Sequence, residues 1–266
     1  MGTDHPTAPE RGAEPEELRP LARAVERAIA QGCGTLLHLA TPLGREVYRR
    51  KADLAARLCP ERGRLLDWGC GFGQMSRLLR NRGFEVVSYT IEPGAPSPWN
   101  LFLREGGLDV VWGKEPVRLP FGDAAFDAVL ACGVLEHVED ERGSLAELAR
   151  VLRPGGRLVL MMLPNRWSWS EFLARRVFGV AFHERLYTMK GARALLGEHG
   201  FRAREMWYWN ALPKNLSVLP GPLRRPILAR PGAWLALDGW LRRTAPFRWF
   251  SGAIEGVFVR EGRGES

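Results

Sequence analysis

A doubly wound, mostly parallel α/β sheet with helices on both faces is what this sequence predicts. Strand-like and helix-like segments alternate through its middle. The strands, such as residues 158–163, are apolar on both faces, as strands covered by helices above and below must be. The clearest stretch is residues 64–92, RLLDWGCGFGQMSRLLRNRGFEVVSYTIE, which reads as strand, glycine turn, helix, strand.

Taken in order, residues 1–15 are rich in Pro, Gly and Glu and are expected to be disordered. From Leu18, the apolar positions Leu21, Val25, Ala28 and Ile29 follow helical spacing. A second helical region covers 36–58, interrupted near Pro42. In the central unit, Leu65 and Leu66 lead to Asp67, and Gly69, Gly71 and Gly73 form the turn. Met75, Leu78 and Leu79 then recur at helical spacing, and Gly83 stands where a helix C-cap belongs. Residues 93–98 are a Pro-rich loop, with a short helix expected at 99–104. Strands follow at 108–112 and 126–131. Ser144 and Glu147 have the spacing of a capping box that opens a helix to about Leu152. Pro154, Gly155 and Gly156 break the pattern before the strand at 158–163. A helix at 189–199 and strands at 201–209 and 251–260 complete the reading.

Glycines at a strand-to-helix turn let the backbone pass close under a ligand and leave the first helical N–H groups free. A dinucleotide site wants G-x-G-x-x-G, whereas the spacing here is G-x-G-x-G. A carboxylate two residues before the first glycine suits a ligand with an ammonium group better than a pyrophosphate. A plain tight turn is the competing reading.

The run Asp67-Trp68-Gly69-Cys70-Gly71-Phe72-Gly73 resembles motif I of the class I S-adenosylmethionine (SAM)-dependent methyltransferases. Residues 119–140, with Val134-Leu135-Glu136-His137-Val138, resemble the fourth-strand region of that family, and residues 152–160 resemble its turn into the fifth strand. The resemblance spans about 65–163, with a weaker tail to Arg260. It implies a seven-stranded sheet with an antiparallel last strand, and the roughly forty residues before that strand are too many for an unstructured loop in a compact domain, so short helices are expected there. It divides the chain into a tail at 1–17, N-terminal helices over the cofactor site at 18–60, and a methyltransferase domain at 61–266 with a substrate-side insertion at about 210–250. It also implies SAM as cofactor, contacted by Asp67, Gly69, Cys70, Gly71, Gly73, Gln74, Cys132 and Gly133.

Two positions depart from the family pattern. Where an acidic residue usually accepts both ribose hydroxyls, the alignment puts Thr90, with Glu92 two residues on and on the same strand face. Glu92 is therefore either the ribose ligand or a loop residue before Pro93. After the third strand, Lys114 stands where the family often has an aspartate for the adenine.

Methyl transfer is an in-line displacement that depends on positioning, with a general base for some acceptors. His137 follows the fourth strand at the carboxyl edge of the sheet, as a base or as a pin for its own turn. His183 and Tyr187 form a second polar cluster with Glu184. They are candidate catalytic groups, or simply part of a loop-to-helix junction capped by Thr188. No metal constellation is visible in the sequence.

Composition bounds the rest. The chain has 266 residues, a net charge of +8 and four cysteines without C-x-x-C spacing, which favours a reducing cytoplasm over a disulfide framework or a structural zinc. The N-terminus has no signal-peptide core, and no apolar run approaches the roughly 18 residues of a membrane span. Residues 211–250 hold seven Lys/Arg against one acid, interleaved with Trp and Phe. That segment reads as a solvated face, as a peripheral membrane contact through 230–250 serving a lipid-linked acceptor, or as a nucleic-acid patch. The Asn/Asp-Pro-Pro-Tyr motif of base-amino methyltransferases is absent, so nucleic acid is not the expected partner. The expectation is therefore methyl transfer to a small-molecule or lipid-linked acceptor, in the cytoplasm or at the inner face of a membrane. The alternative is a non-catalytic binding or accessory protein on the same fold.

Overall fold

The first strand, Arg64–Trp68 (β1), lies inside the sheet, because its four residues from Leu65 on are all buried and both its edges are paired. The structure is a computed structural model describing residues 15–32, 38–91, 107–177, 179, 181, 183–214, 216 and 221–262. Glu85–Ile91 (β2) pairs with β1 in parallel, and Val110–Gly113 (β3) pairs with β2. The chain then crosses back. Phe126–Cys132 (β4) pairs with the other edge of β1, and Leu152–Pro164 (β5) pairs with β4, both parallel. Phe201–Trp209 (β6) and Ala253–Arg260 (β7) close the sheet with antiparallel pairings, in the order β3-β2-β1-β4-β5-β7-β6. Strand order reverses between β1 and β4. The crevice beyond their carboxyl ends is where a sheet of this kind holds a ligand.

Helices cover both faces. Arg19–Ala30 (α1), Pro42–Leu58 (α2) and Gln74–Arg80 (α3) share one core with β1, β4 and β7. Glu141–Val151 (α4) and Met189–Gly197 (α6) pack on the other face, while Trp169–Val177 (α5) follows β5. The expected end of α3 holds: Gly83 takes φ +84, and the Phe84 amide reaches back to the Leu79 carbonyl. The long insertion contains the short helices expected from its length, Gly221–Ala229 (α7) and Pro231–Leu241 (α8), then a 3-10 turn at Phe247–Phe250. Leu235 of α8 packs with Leu43 and Val47 of α2 and with Leu216, so the insertion is pinned to the N-terminal helices.

Several boundaries differ from the sequence reading. α4 begins at Glu141, capped by Asp140, whose carboxylate accepts the Gly143 amide at 2.8 Å. Ser144 lies buried a turn later, and Glu147 instead accepts the Leu119 amide and pairs with Arg150. Both sites carry good capping residues, and the burial of Ser144 decides between them. α2 starts only at Pro42, with Thr41 as its cap. β5 extends back through the Pro-Gly-Gly break to Leu152. The expected tail is shorter at its described end: Glu16–Leu18 forms a 3-10 turn, Leu18 is buried, and Glu17 pairs with Arg82. Residues 1–14 and the expected helix at 99–104 lie outside the described residues.

Candidate active site

Gly69, Gly71 and Gly73 all adopt positive φ (+70, +54 and +79), which explains why glycine recurs at every second position of the turn. The Cys70 amide donates to the Tyr89 carbonyl, and α3 follows directly, with Gln74 as its first residue. At Gly69 the missing side chain serves the protein itself. A Cβ there would stand 2.6 Å from Cγ2 of Val134, in the segment after β4. Two strand ends thus meet closely at the crevice.

Beneath the turn, Asp67 is 2% exposed. The Ser76 hydroxyl donates to its carboxylate at 2.5 Å, and the Ser88 hydroxyl donates to Ser76 at 2.8 Å. Burial pushes the Asp67 carboxyl up to about 6, against the lowering effect of Ser76. Gln74 faces the Tyr48 hydroxyl of α2, and burial raises that phenol. The Gln74 Oε1 is buried and has no donor.

On the neighbouring strand, Cys132 ends β4 half-buried, and Gly133 turns at φ +71. Glu136 is buried below, its Oε1 3.7 Å from where a Cβ on Gly133 would be, and burial pushes its carboxyl up to about 7. His137 Nε2 lies 3.8 Å from that oxygen, on a side chain 62% exposed. Its pKa is lowered by partial burial, then by His183 and Arg185. The His183 ring comes within 5.9 Å of the His137 ring, and its Nδ1 is held at 2.5 Å by Oε1 of buried Glu171 in α5. Glu136, His137 and His183 offer ligand atoms within 4.8 Å of one another. Only the fold creates this grouping, since the three come from two distant segments.

Tyr187 does not join them. It is buried, and its hydroxyl donates to Glu141 and faces the Leu135 carbonyl at 3.5 Å. Thr188 caps α6, as the alternative reading of that segment has it. On the far flank, Thr90 is half-buried at the end of β2, Lys114 is exposed after β3, and Glu92 lies outside the described residues. The Tyr89 hydroxyl fills the space over Gly113, where a Cβ would stand only 2.0 Å from it.

Residues 66–160, from β1 into β5, match the family described as a methyltransferase domain. The demethylmenaquinone methyltransferase of Thermus thermophilus is 31% identical over 177 residues, covering 65% of this chain and 74% of that protein. The chain belongs to the class I SAM-dependent methyltransferases. A ubiquinone biosynthesis O-methyltransferase of Xanthomonas axonopodis pv. citri is 33% identical over 159 residues, covering 59% of this chain and 63% of that protein. Among solved structures, a SAM-dependent methyltransferase from Archaeoglobus fulgidus superposes with a TM-score of 0.57 at 16% identity, covering 82% of this chain and 94% of that one. The [4+2]-cyclase SpnF superposes with a TM-score of 0.54 at 21% identity, covering 80% of each. The last two likenesses establish the fold alone.

This methyltransferase uses SAM as cofactor, and the residues at the turn suit its methionine end. Asp67 and the unpartnered Gln74 Oε1 are buried acceptors without a cation, which is the chemistry an ammonium group satisfies. Among the described residues, no helix is long and apolar enough to cross a membrane.

Proposed function

We propose that this methyltransferase acts on a hydroxyl of an apolar, ring-bearing small molecule, and that Glu136, His137 and His183 remove the hydroxyl proton. The observation that carries this reading is the gathering of those three side chains beside Gly133, with Glu171 behind His183. When bound, SAM supplies a methyl group made electrophilic by its sulfonium. Gly69, Cys70, Gly71, Gly73, Gln74 and Asp67 hold its amino-acid end, and Cys132 and Gly133 line the neighbouring strand end. Glu92 or Thr90 receives the ribose, with Lys114 on the adenine flank.

The chain's own part of the chemistry is to hold the acceptor oxygen in line and to take its proton. Glu171 accepts from Nδ1–H of His183, which leaves Nε2 as the acceptor nitrogen and supports the imidazolium that forms. Glu136, with a carboxyl near 7, shares the proton with the two rings. Quinone-pathway and O-methyltransferase relatives make a hydroxylated ring the acceptor class to try first.

A specific observation favours a lipid-linked form of that acceptor. Trp240, Phe247, Trp249 and Phe250 of the insertion are exposed, and Arg225, Arg230 and Arg248 lie in the same segment. Aromatic groups interleaved with arginine suit the headgroup boundary of a membrane, so 230–250 would sit on its surface.

Calorimetry with SAM and S-adenosylhomocysteine comes first, followed by mass spectrometry of products from SAM and a panel of hydroquinones and phenols. A product heavier by one methylene on oxygen supports the reading. Tight SAM binding without turnover on any acceptor favours the accessory-protein alternative. For the membrane contact, co-sedimentation with anionic vesicles should weaken on Trp240→Ala with Trp249→Ala, and absence of binding by the parent protein removes it.

A further inference from the structure

A cleft of about 540 Å³ opens beyond the sheet edge, between α2, β6 and α8. None of the glycine-turn residues lines it. Its charges do not cancel. Lys51 is neutralised by Glu255, and Asp238 by Lys214 at 2.6 Å. Asp53 is held by Arg49 and Arg82, while Arg50 is held by Glu46. Among the described residues, that leaves Arg57, Arg242 and Arg243 facing the cleft against Glu205. Arg57 and Arg243 have no carboxylate partner among the described residues. Arg242 reaches Asp238 only at 4.0 Å, and its Nε is buried without a hydrogen-bond acceptor. The Arg242 side chain is about a quarter exposed, and a guanidinium with no closer carboxylate attracts an oxyanion.

The opposite wall is aromatic and held in place. The Trp207 indole N–H donates to Glu255 at 3.1 Å. The Trp209 ring lies under the Lys51 ammonium, 3.5 Å from ring centroid to nitrogen. Guanidinium forks match phosphate or carboxylate oxygens in pairs, and fixed indoles offer a flat apolar surface at little entropic penalty. The volume falls in the range of small-molecule sites. Lys51 and Glu255, which line the cleft, also act electrostatically on Cys132 at the end of β4.

We propose that this cleft is a second small-molecule site, built by the N-terminal helix α2 and the basic insertion, that takes an anionic aromatic compound. The oxyanion sits among Arg57, Arg242 and Arg243, and the ring lies against Trp207 and Trp209. This assignment does not depend on the acceptor reading above.

The probe is 1-naphthyl phosphate, measured by calorimetry and by quenching of tryptophan fluorescence on the whole chain, with 1-naphthol and inorganic phosphate as controls. Naphthyl phosphate should bind saturably and each control about tenfold or more weakly, because each lacks one half of the recognised group. The affinity should fall with added salt. Arg57→Gln with Arg243→Gln, both exposed and expected to fold normally, should weaken naphthyl phosphate about tenfold while SAM affinity stays within about twofold. Naphthol binding as well as its phosphate, a double variant that binds like the parent, or displacement of the probe by SAM would each overturn the proposal.

Discussion

Glu171 and His183 meet at 2.5 Å, the carboxylate buried in α5 and the imidazole at the mouth of the crevice. Glu171→Gln keeps the shape but removes the charge that supports a protonated ring. On the proposed base, kcat for a hydroxyl acceptor should fall on the order of 10–100-fold with SAM affinity unchanged. A kcat equal to the parent's would leave the pair a purely structural contact.

On the proposed cofactor role of Asp67, SAM binding should depend on pH. The folded pKa of Asp67 is about 6, above the ordinary 3.8. The folded chain therefore binds more protons than the unfolded one between those values. The stability it contributes is present below pH 4 and lost as pH rises through 6. Asp67→Asn should raise the unfolding free energy at pH 7, on the order of 1–3 kcal/mol, and leave it nearly unchanged near pH 3.5. The same change should weaken SAM binding at pH 7, and parent affinity should fall as pH drops below 6. Titration calorimetry at several pH values checks both directions.

Gly69 and Val134 lock the two strand ends together. Gly69→Ala should destabilise the protein by about 1–3 kcal/mol, from positive φ and overpacking combined. Adding Val134→Ala should return part of that loss, because the clash goes and the backbone strain remains. Chemical denaturation of the four proteins in the cycle measures the coupling, and strict additivity would mean that the two residues do not meet.

Lys51 and Glu255 form an ion pair with both side chains almost fully buried. Lys51→Met strands a carboxylate in the core and should lower stability by about 3–5 kcal/mol, whereas Lys51→Met with Glu255→Leu should recover most of it. Thermal melts of the single and double variants decide this. If the double variant is as weak as the single, the indole of Trp207, which also depends on Glu255, matters more than the charge.

The central unit was legible in the sequence because its determinants are local. Apolar residues next to one another make β1, alternating glycines demand positive φ, and Gly83 ends α3. The capping box at Ser144 misled because Asp140, four residues earlier, satisfies the same local rule and only packing chooses between them. Glu136 stood beside His137 throughout, yet nothing along the chain marks it as buried. Glu171 and His183 come close only when α5 folds back toward the segment after β4.

By itself, then, the sequence determined the order of strands and helices, the glycine turn and the family to which both belong, since backbone conformation follows from neighbours within a few residues. Only the tertiary structure decided which charges go unpaired in the edge cleft, why Gly69 can be nothing larger, and which carboxylates titrate near neutrality. Burial, charge pairing and steric contact depend on residues far apart in the chain, and they take values only once the sheet has closed and its helices have packed.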